Sequence, residues 1–172
     1  MSDRYFPREF LRHCNIAAVA GSVQPVLVGS PYCRVQGFGR NHPLAIPRVA
    51  TVLRLCEELG WVDESSMREA PAADLDSLVR FHDHEYVSAL RDADAAGQVT
   101  AAVRERFGFG TLENPLFPGV FARAATAVGG SILAAELALD GRVVFHPAGG
   151  THHGRPGRAS GFCYFNDPVF AI

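Results

Sequence analysis

Two adjacent histidines, His152 and His153, stand among glycines and small polar residues in the run His146-Pro147-Ala148-Gly149-Gly150-Thr151-His152-His153-Gly154. The run leads on to Ser160-Gly161-Phe162-Cys163-Tyr164-Phe165-Asn166-Asp167. Imidazole titrates near neutral pH, so two rings on one loop suit proton transfer to and from a substrate. The same pair also fits a plain surface loop, or a ring that caps a carboxylate in the core. A His-His pair alone does not choose between these readings.

Other residues that could do chemistry are less pointed. His82-Asp83-His84-Glu85 has metal-binding residue types, but a capped helix start accounts for them at least as well, since metal sites usually draw on more than one element. His146, at a strand end, reads as a packed, hydrogen-bonded residue, and His13 as an exposed one. Cys14, Cys33, Cys56 and Cys163 are scattered, with no Cys-x-x-Cys pair. They frame neither a structural zinc site nor a disulfide scaffold, and reduced thiols in a cytoplasmic protein are the simplest reading. There is no Gly-x-Ser-x-Gly elbow and no evident Cys-His arrangement, which disfavours a hydrolase with its own nucleophile.

Composition narrows the classes further. All 16 basic residues are arginine, against 18 acidic ones. The absence of lysine excludes Schiff-base chemistry and a Gly-Lys-Ser/Thr phosphate loop. The near-neutral balance gives no electrostatic case for nucleic acid or an anionic membrane. The apolar stretch 16–20 is too short to span a bilayer, and Asp3 and Glu9 are out of place in a basic leader.

The elements that must position the histidines follow from periodicity. With 48% hydrophobic residues in 172, the chain can bury one core, read as a domain over 25–172 preceded by an arm or extra helix over 1–24. Residues 25–29 form a short apolar run between Pro and Gly, a buried strand candidate. From Pro47, the spacing of Val49, Val52, Leu53, Cys56 and Leu59 predicts a helix that stops at Gly60. A second helix begins near Asp74 and a third after Asp83, with Tyr86, Val87 and Leu90 on one face. Residues 108–118 read as loop.

A long alanine-rich helix is expected from about 120 to 139. Gly129-Gly130 in its middle costs roughly 1 kcal/mol per residue relative to alanine, which points to a close contact there. A strand over 142–145 and the histidine loop follow. Asn166-Asp167-Pro168 starts another helix, too short to stand alone, so the sequence stops as an element begins, as in a larger domain cut short. The whole reads as α/β with a mostly parallel sheet and the histidines at a strand's carboxyl end, where such folds place their sites.

The longer string from Gly149 to Asp167 resembles the strand-to-helix active-site loop of the histone deacetylase superfamily. That superfamily includes eukaryotic enzymes, bacterial acetoin utilisation proteins and acetylpolyamine amidohydrolases. Three upstream segments are similar to family segments in the same order: Gly37-Phe38-Gly39-Arg40-Asn41-His42-Pro43 with Pro47-Arg48, then Phe81-His82 with Tyr86, then Gly108-Phe109-Gly110 with Asn114-Pro115 and Phe117-Pro118-Gly119.

The resemblance implies an arginase/deacetylase-like three-layer fold, C-terminally incomplete, and removal of an acetyl group from lysine or a polyamine. It implies His152 and His153 as the catalytic pair, the second as general base and acid. Gly161 would offer its carbonyl to the substrate amide, and Phe162 an aromatic wall of the substrate tunnel. Glu113 falls where many members have an aspartate that binds substrate at the rim. Arg48 falls where an arginine lines an inner cavity for acetate exit, though a helix-surface charge fits it equally. The family's Zn2+ is held by residues expected beyond Ile172. The chain alone is therefore expected to be inactive, as a fragment of a zinc-dependent deacetylase or as a non-catalytic remnant that binds an acyl-lysine, a polyamine or a partner subunit. Such a fragment would also expose an apolar sheet edge.

Overall fold

Val26, Leu27, Val28 and Gly29 are all buried and form β1 (Val26–Gly29). This is the centre of a three-stranded parallel sheet in a computed structural model that describes residues 25–34, 37–39 and 42–172. The arm or extra helix expected over 1–24 lies outside the described residues. β1 pairs with β2 (Met67–Glu69) through Leu27 opposite Met67, and with β3 (Val144–Phe145) through Val26 opposite Val144.

Side chains alternate across β1, and both faces are covered. Val26 and Val28 meet Ala70, Leu133, Leu137 and Val144 on one side. Leu27 meets Cys33, Leu53, Val49 and Met67 on the other. The first face is closed by a long helix over Val120–Leu139 and the second by α1 (Arg48–Glu58), giving three layers. Burial on both faces is why the strand is apolar throughout rather than alternating.

In chain order α2 (Leu75–Leu78), α3 (His84–Ala96) and α4 (Ala101–Phe107) come between α1 and the long helix, and α3 packs on the long helix. Asp74 caps α2 by accepting the Ser77 N–H at 2.8 Å. Tyr86, Val87 and Leu90 of α3 are fully buried, as their spacing predicts. Asp83 holds the expected N-cap position, but its side chain makes no capping bond. Its carboxylate instead lies where a Cβ on Gly157 would sit, and its N–H donates to the Pro156 carbonyl at 3.0 Å. β2 and α4 were not legible in the sequence: β2 is three half-exposed or exposed residues, and α4 is a seven-residue helix.

The long helix, α5 (Val120–Leu139), starts after Gly119, which has no side chain with which to cap it. Asp94 of α3 supplies the cap across space, accepting the N–H of Gly119 at 2.8 Å and of Phe121 at 3.0 Å. The close contact expected at Gly129-Gly130 is present. A Cβ on Gly129 would overlap the Pro71 carbonyl and lie 2.9 Å from Ala73 N, and one on Gly130 would lie 2.5 Å from His146 Cε1. Among the described residues α5 alone has the length and composition to cross a bilayer, but here those apolar residues close one face of the sheet.

The expected strand over 142–145 shortens to β3, and Val143 adds one bond, its carbonyl accepting Val26 N–H at 2.8 Å. Among the described residues β3 is an edge strand, and Val143 and Phe145 are at least half exposed. α6 (Asp167–Phe170) packs on α5.

Candidate active-site loop

The loop after β3 is folded by two tight turns. One closes between Arg155 and Arg158 around Pro156-Gly157, the other between Ser160 and Cys163 around Gly161-Phe162. Both central residues of the second turn have positive φ, +56° at Gly161 and +67° at Phe162. That is the type I′ pattern. Phe162 is the only non-glycine residue with positive φ among those described. A left-handed conformation costs an aromatic residue roughly 1–2 kcal/mol, so the surrounding structure must impose it.

His152 and His153 stand side by side and exposed, their ring centroids 4.2 Å apart and the planes inclined by 42°. His152 Nδ1 lies 3.0 Å from the Gly150 carbonyl oxygen. A carbonyl only accepts, so Nδ1 carries the proton and Nε2 presents its lone pair. The His153 ring rests on Gly161, where a Cβ would fall 2.5 Å from its Cγ. The Gly161 carbonyl accepts from the Cys163 thiol at 3.3 Å, a weak donor that leaves the oxygen's second lone pair open. Burial holds that thiol above its ordinary range.

Three residues behind the loop hold it. Asp167, 1% exposed, accepts from Ser131 Oγ at 2.5 Å, Gly150 N–H at 3.0 Å and Thr151 N–H at 2.5 Å. Asn166 has the N-cap position of α6 but makes no capping bond; its amide donates to the carbonyls of His152 at 3.2 Å and Gly154 at 2.9 Å. His82 is buried, faces the Arg155 and Pro156 carbonyls with Nδ1, and accepts the Asn166 N–H with Nε2. Its burial lowers the ring's pKa. None of these three was singled out for the site from sequence, because their partners lie 12 to 84 positions away. Asn166 and Asp167 entered the sequence reading as a helix start and as the end of the string that resembles the family's active-site loop, with no role of their own.

The expected substrate-binding residues divide. Phe162 lines a cavity of about 260 Å³ with Phe38, Phe117, Tyr164, Thr151 and His146. Glu113 is exposed near this wall; its carbonyl oxygen lies 3.3 Å from His42 Nε2, and the His42 ring meets Phe162 edge-on at 4.8 Å. Arg48 is not in that cavity. It lines a second one of about 250 Å³ with Arg34 and Arg123, and donates to the Pro43 carbonyl at 3.4 Å. Neither His152 nor His153 lines either cavity. His146 is packed and hydrogen-bonded, its nitrogens 3.1 Å from the Val28 carbonyl and 3.2 Å from that of Ala127.

No three His, Cys, Asp or Glu side chains converge among the described residues. Those residues do not by themselves fit a zinc ion, which takes three or four such ligands.

A model of the histone deacetylase domain matches residues 42–172. The chain belongs to the histone deacetylase family. The family chain is 34% identical over 150 residues to the acetoin utilization protein AcuC of Bacillus subtilis (strain 168), which covers 86% of this chain and 38% of AcuC. It is 36% identical over 143 residues to histone deacetylase 3 of Oryza sativa subsp. japonica, covering 78% and 27% of the two chains. The crystal structure of a histone deacetylase homolog from Aquifex aeolicus superposes with a TM-score of 0.82 at 35% identity, over 87% of this chain and 40% of that one. The arginase/deacetylase-like fold is therefore shown, and the chain spans about two fifths or less of the relatives it matches.

Proposed function

We propose that this chain supplies the proton-handling histidines and part of the acyl-binding wall of an amide hydrolase acting on acetylated lysine or an acetylated polyamine. The observation that carries this reading is the exposed pair His152 and His153, with the bare Nε2 of His152 in a loop whose next turn forces Phe162 into a strained conformation beside an apolar cavity. Strain of this kind persists where a side chain has to point in one direction. His152 and His153 would take a proton from the attacking water and return it to the leaving amine, as imidazole base and acid can near neutral pH. Gly161 offers a carbonyl to the substrate amide, Phe162 packs on its aliphatic stem, and Glu113 stands at the rim.

Zinc belongs to this reading through the family, and its ligands would have to come from outside the described residues. The chain alone is accordingly assigned no turnover, and the activity to a longer cytoplasmic polypeptide or assembly that adds the metal site. Elemental analysis for zinc, run with an acetyl-lysine peptide assay, tests both parts. The isolated chain should hold no stoichiometric zinc and release no acetate; zinc with turnover would overturn the inert assignment. In a form that does turn over, His153→Ala should lower kcat by about 10²–10⁴-fold, the usual worth of a general acid-base residue. An unchanged kcat would overturn the role given to the pair.

A further inference from the structure

We propose that the cavity beside Phe162 selects an acyl group that itself ends in a carboxylate, of the succinyl or glutaryl class, and that Arg123 recognises that carboxylate. This rests on the amide-hydrolase reading above and names the substrate class within it. Phe162 and Thr151, the chain neighbour of His152, both line the cavity of about 260 Å³. A substrate whose stem packs on Phe162 and whose amide meets the histidines therefore sends its acyl end into that space. A water needs roughly 10–15 Å³ of such a cavity, so the space is far more than an acetyl group fills.

Arg123 stands on the first turn of α5 and lines both this cavity and the second one. The two also share Cys33, Phe38, Leu44 and Val49, whereas Phe162, Thr151 and Tyr164 belong to the first alone. Arg123 thus marks the seam between the cavities, beyond the wall that holds the stem. Among the described residues no Asp or Glu lines either cavity, and Arg123 is the one arginine of the first. Its guanidinium lies 6.0 Å from the centroid of the Phe38 ring. Burial lowers its pKa, yet a guanidinium keeps its charge in proteins. A partly desolvated cation attracts an anion more strongly than one in water, and the planar fork matches both oxygens of a carboxylate. Helix formation does not call for a cation here, since the first turn is the positive end of the helix dipole. The rings of Phe38, Phe117 and Phe162 supply an apolar wall for the methylenes between amide and carboxylate.

The test is calorimetric titration of the full chain at neutral pH with blocked lysines that carry acetyl, butyryl or succinyl on the side-chain amine. Butyryl and succinyl have the same number of carbons, so comparing them isolates the terminal carboxylate. Succinyl-lysine should bind about tenfold more tightly than butyryl-lysine, the usual worth of a hydrogen bond to a charged group. Arg123→Leu should erase that preference. If Arg123→Leu does not fold, Arg123→Gln carries the same expectation, and the unmodified chain still decides. Butyryl-lysine bound as tightly as succinyl-lysine overturns the proposal, as does a chain that binds none of the ligands. A succinyl preference that survives removal of the Arg123 charge overturns it too. A longer form that hydrolyses acetyl-lysine in preference to succinyl-lysine would remove the carboxylate subsite and leave the amide-hydrolase reading intact. Succinyl-lysine bound through Arg123, in a longer form that hydrolyses no acylated amine, would sink that reading and leave the subsite standing.

Discussion

His82 Nε2 accepts the backbone N–H of Asn166 at 3.0 Å, while its Nδ1 faces the carbonyls of Arg155 and Pro156 at 3.0 and 3.1 Å. One nitrogen must be bare and the other protonated, so this arrangement admits only the neutral ring. Burial lowers the His82 pKa in the folded chain, while the unfolded ring titrates near its usual value of about 6.5. Between those two values the unfolded state binds more protons, so stability rises with pH. The contribution is fully present above about pH 6.5 and is lost as pH falls toward the folded value. Unfolding free energy measured between about pH 5 and 7 should therefore slope upward. His82→Gln, which keeps a donor and an acceptor but cannot titrate, should flatten that slope; an equal slope in the variant would refute the assignment.

Gly129→Ala and Gly130→Ala should both destabilise, although alanine gains roughly 1 kcal/mol over glycine in a helix interior. At Gly130 the added methyl meets the His146 ring, a side chain hydrogen-bonded on both nitrogens. At Gly129 it meets the Pro71 backbone, which has less room to give. Overpacking costs on the order of 1–3 kcal/mol, so urea midpoints should fall for both, and further for Gly129→Ala. A midpoint that rises at either position would show that the neighbouring segment can move aside.

Asp94→Ala removes the cap of α5 although it lies outside that helix. Loss of a side-chain cap costs about 0.5–2 kcal/mol, and two amide donors, those of Gly119 and Phe121, lose their partner here. Thermal unfolding should show a lower Tm. Hydrogen exchange should quicken first at Gly119 and Phe121, and uniform quickening along α5 would count against a local capping role.

Phe162→Gly and Phe162→Ala separate strain from contact. Glycine accepts φ near +67° at no steric cost and alanine does not. Both lose the ring that lines the cavity with Phe38 and Phe117. The glycine variant should be more stable than the alanine variant, by about 1 kcal/mol. Both should weaken binding of an acylated-lysine ligand in any form that binds one. Unchanged binding in the folded glycine variant would remove Phe162 from the substrate wall.

Phe145→Lys should reduce self-association of the chain. Among the described residues β3 is an edge strand with Phe145 half exposed and Val143 more so, and unpaired strands with apolar side chains invite pairing between molecules. Light scattering against concentration gives the readout; association unaffected by the charge would place the contact elsewhere.

Local signals carried much of the architecture. Apolar runs and helical spacing, with their flanking Pro, Gly and Asp, marked β1, α1, α2, α3 and α5, because each depends on neighbours within a few positions. Gly129-Gly130 announced a close contact, since nothing else justifies two glycines inside a helix. The histidine pair, Gly161 and Phe162 stood out in the sequence as a candidate site through their types and order. β2 and α4 were not, being short, polar and stabilised by what they touch. The support of the loop was invisible for the same physical reason: Asp167 reaches Ser131 and Thr151, His82 reaches Asn166, and Asp94 reaches Gly119 across chain separations no local pattern encodes. Asp83 makes no capping bond, and the side chain of Asn166 at the start of α6 bonds the loop carbonyls of His152 and Gly154, because buried polar groups take whichever partner the packed chain brings within reach. Residue type set what the loop could do, and packing alone decided which way its rings and protons face.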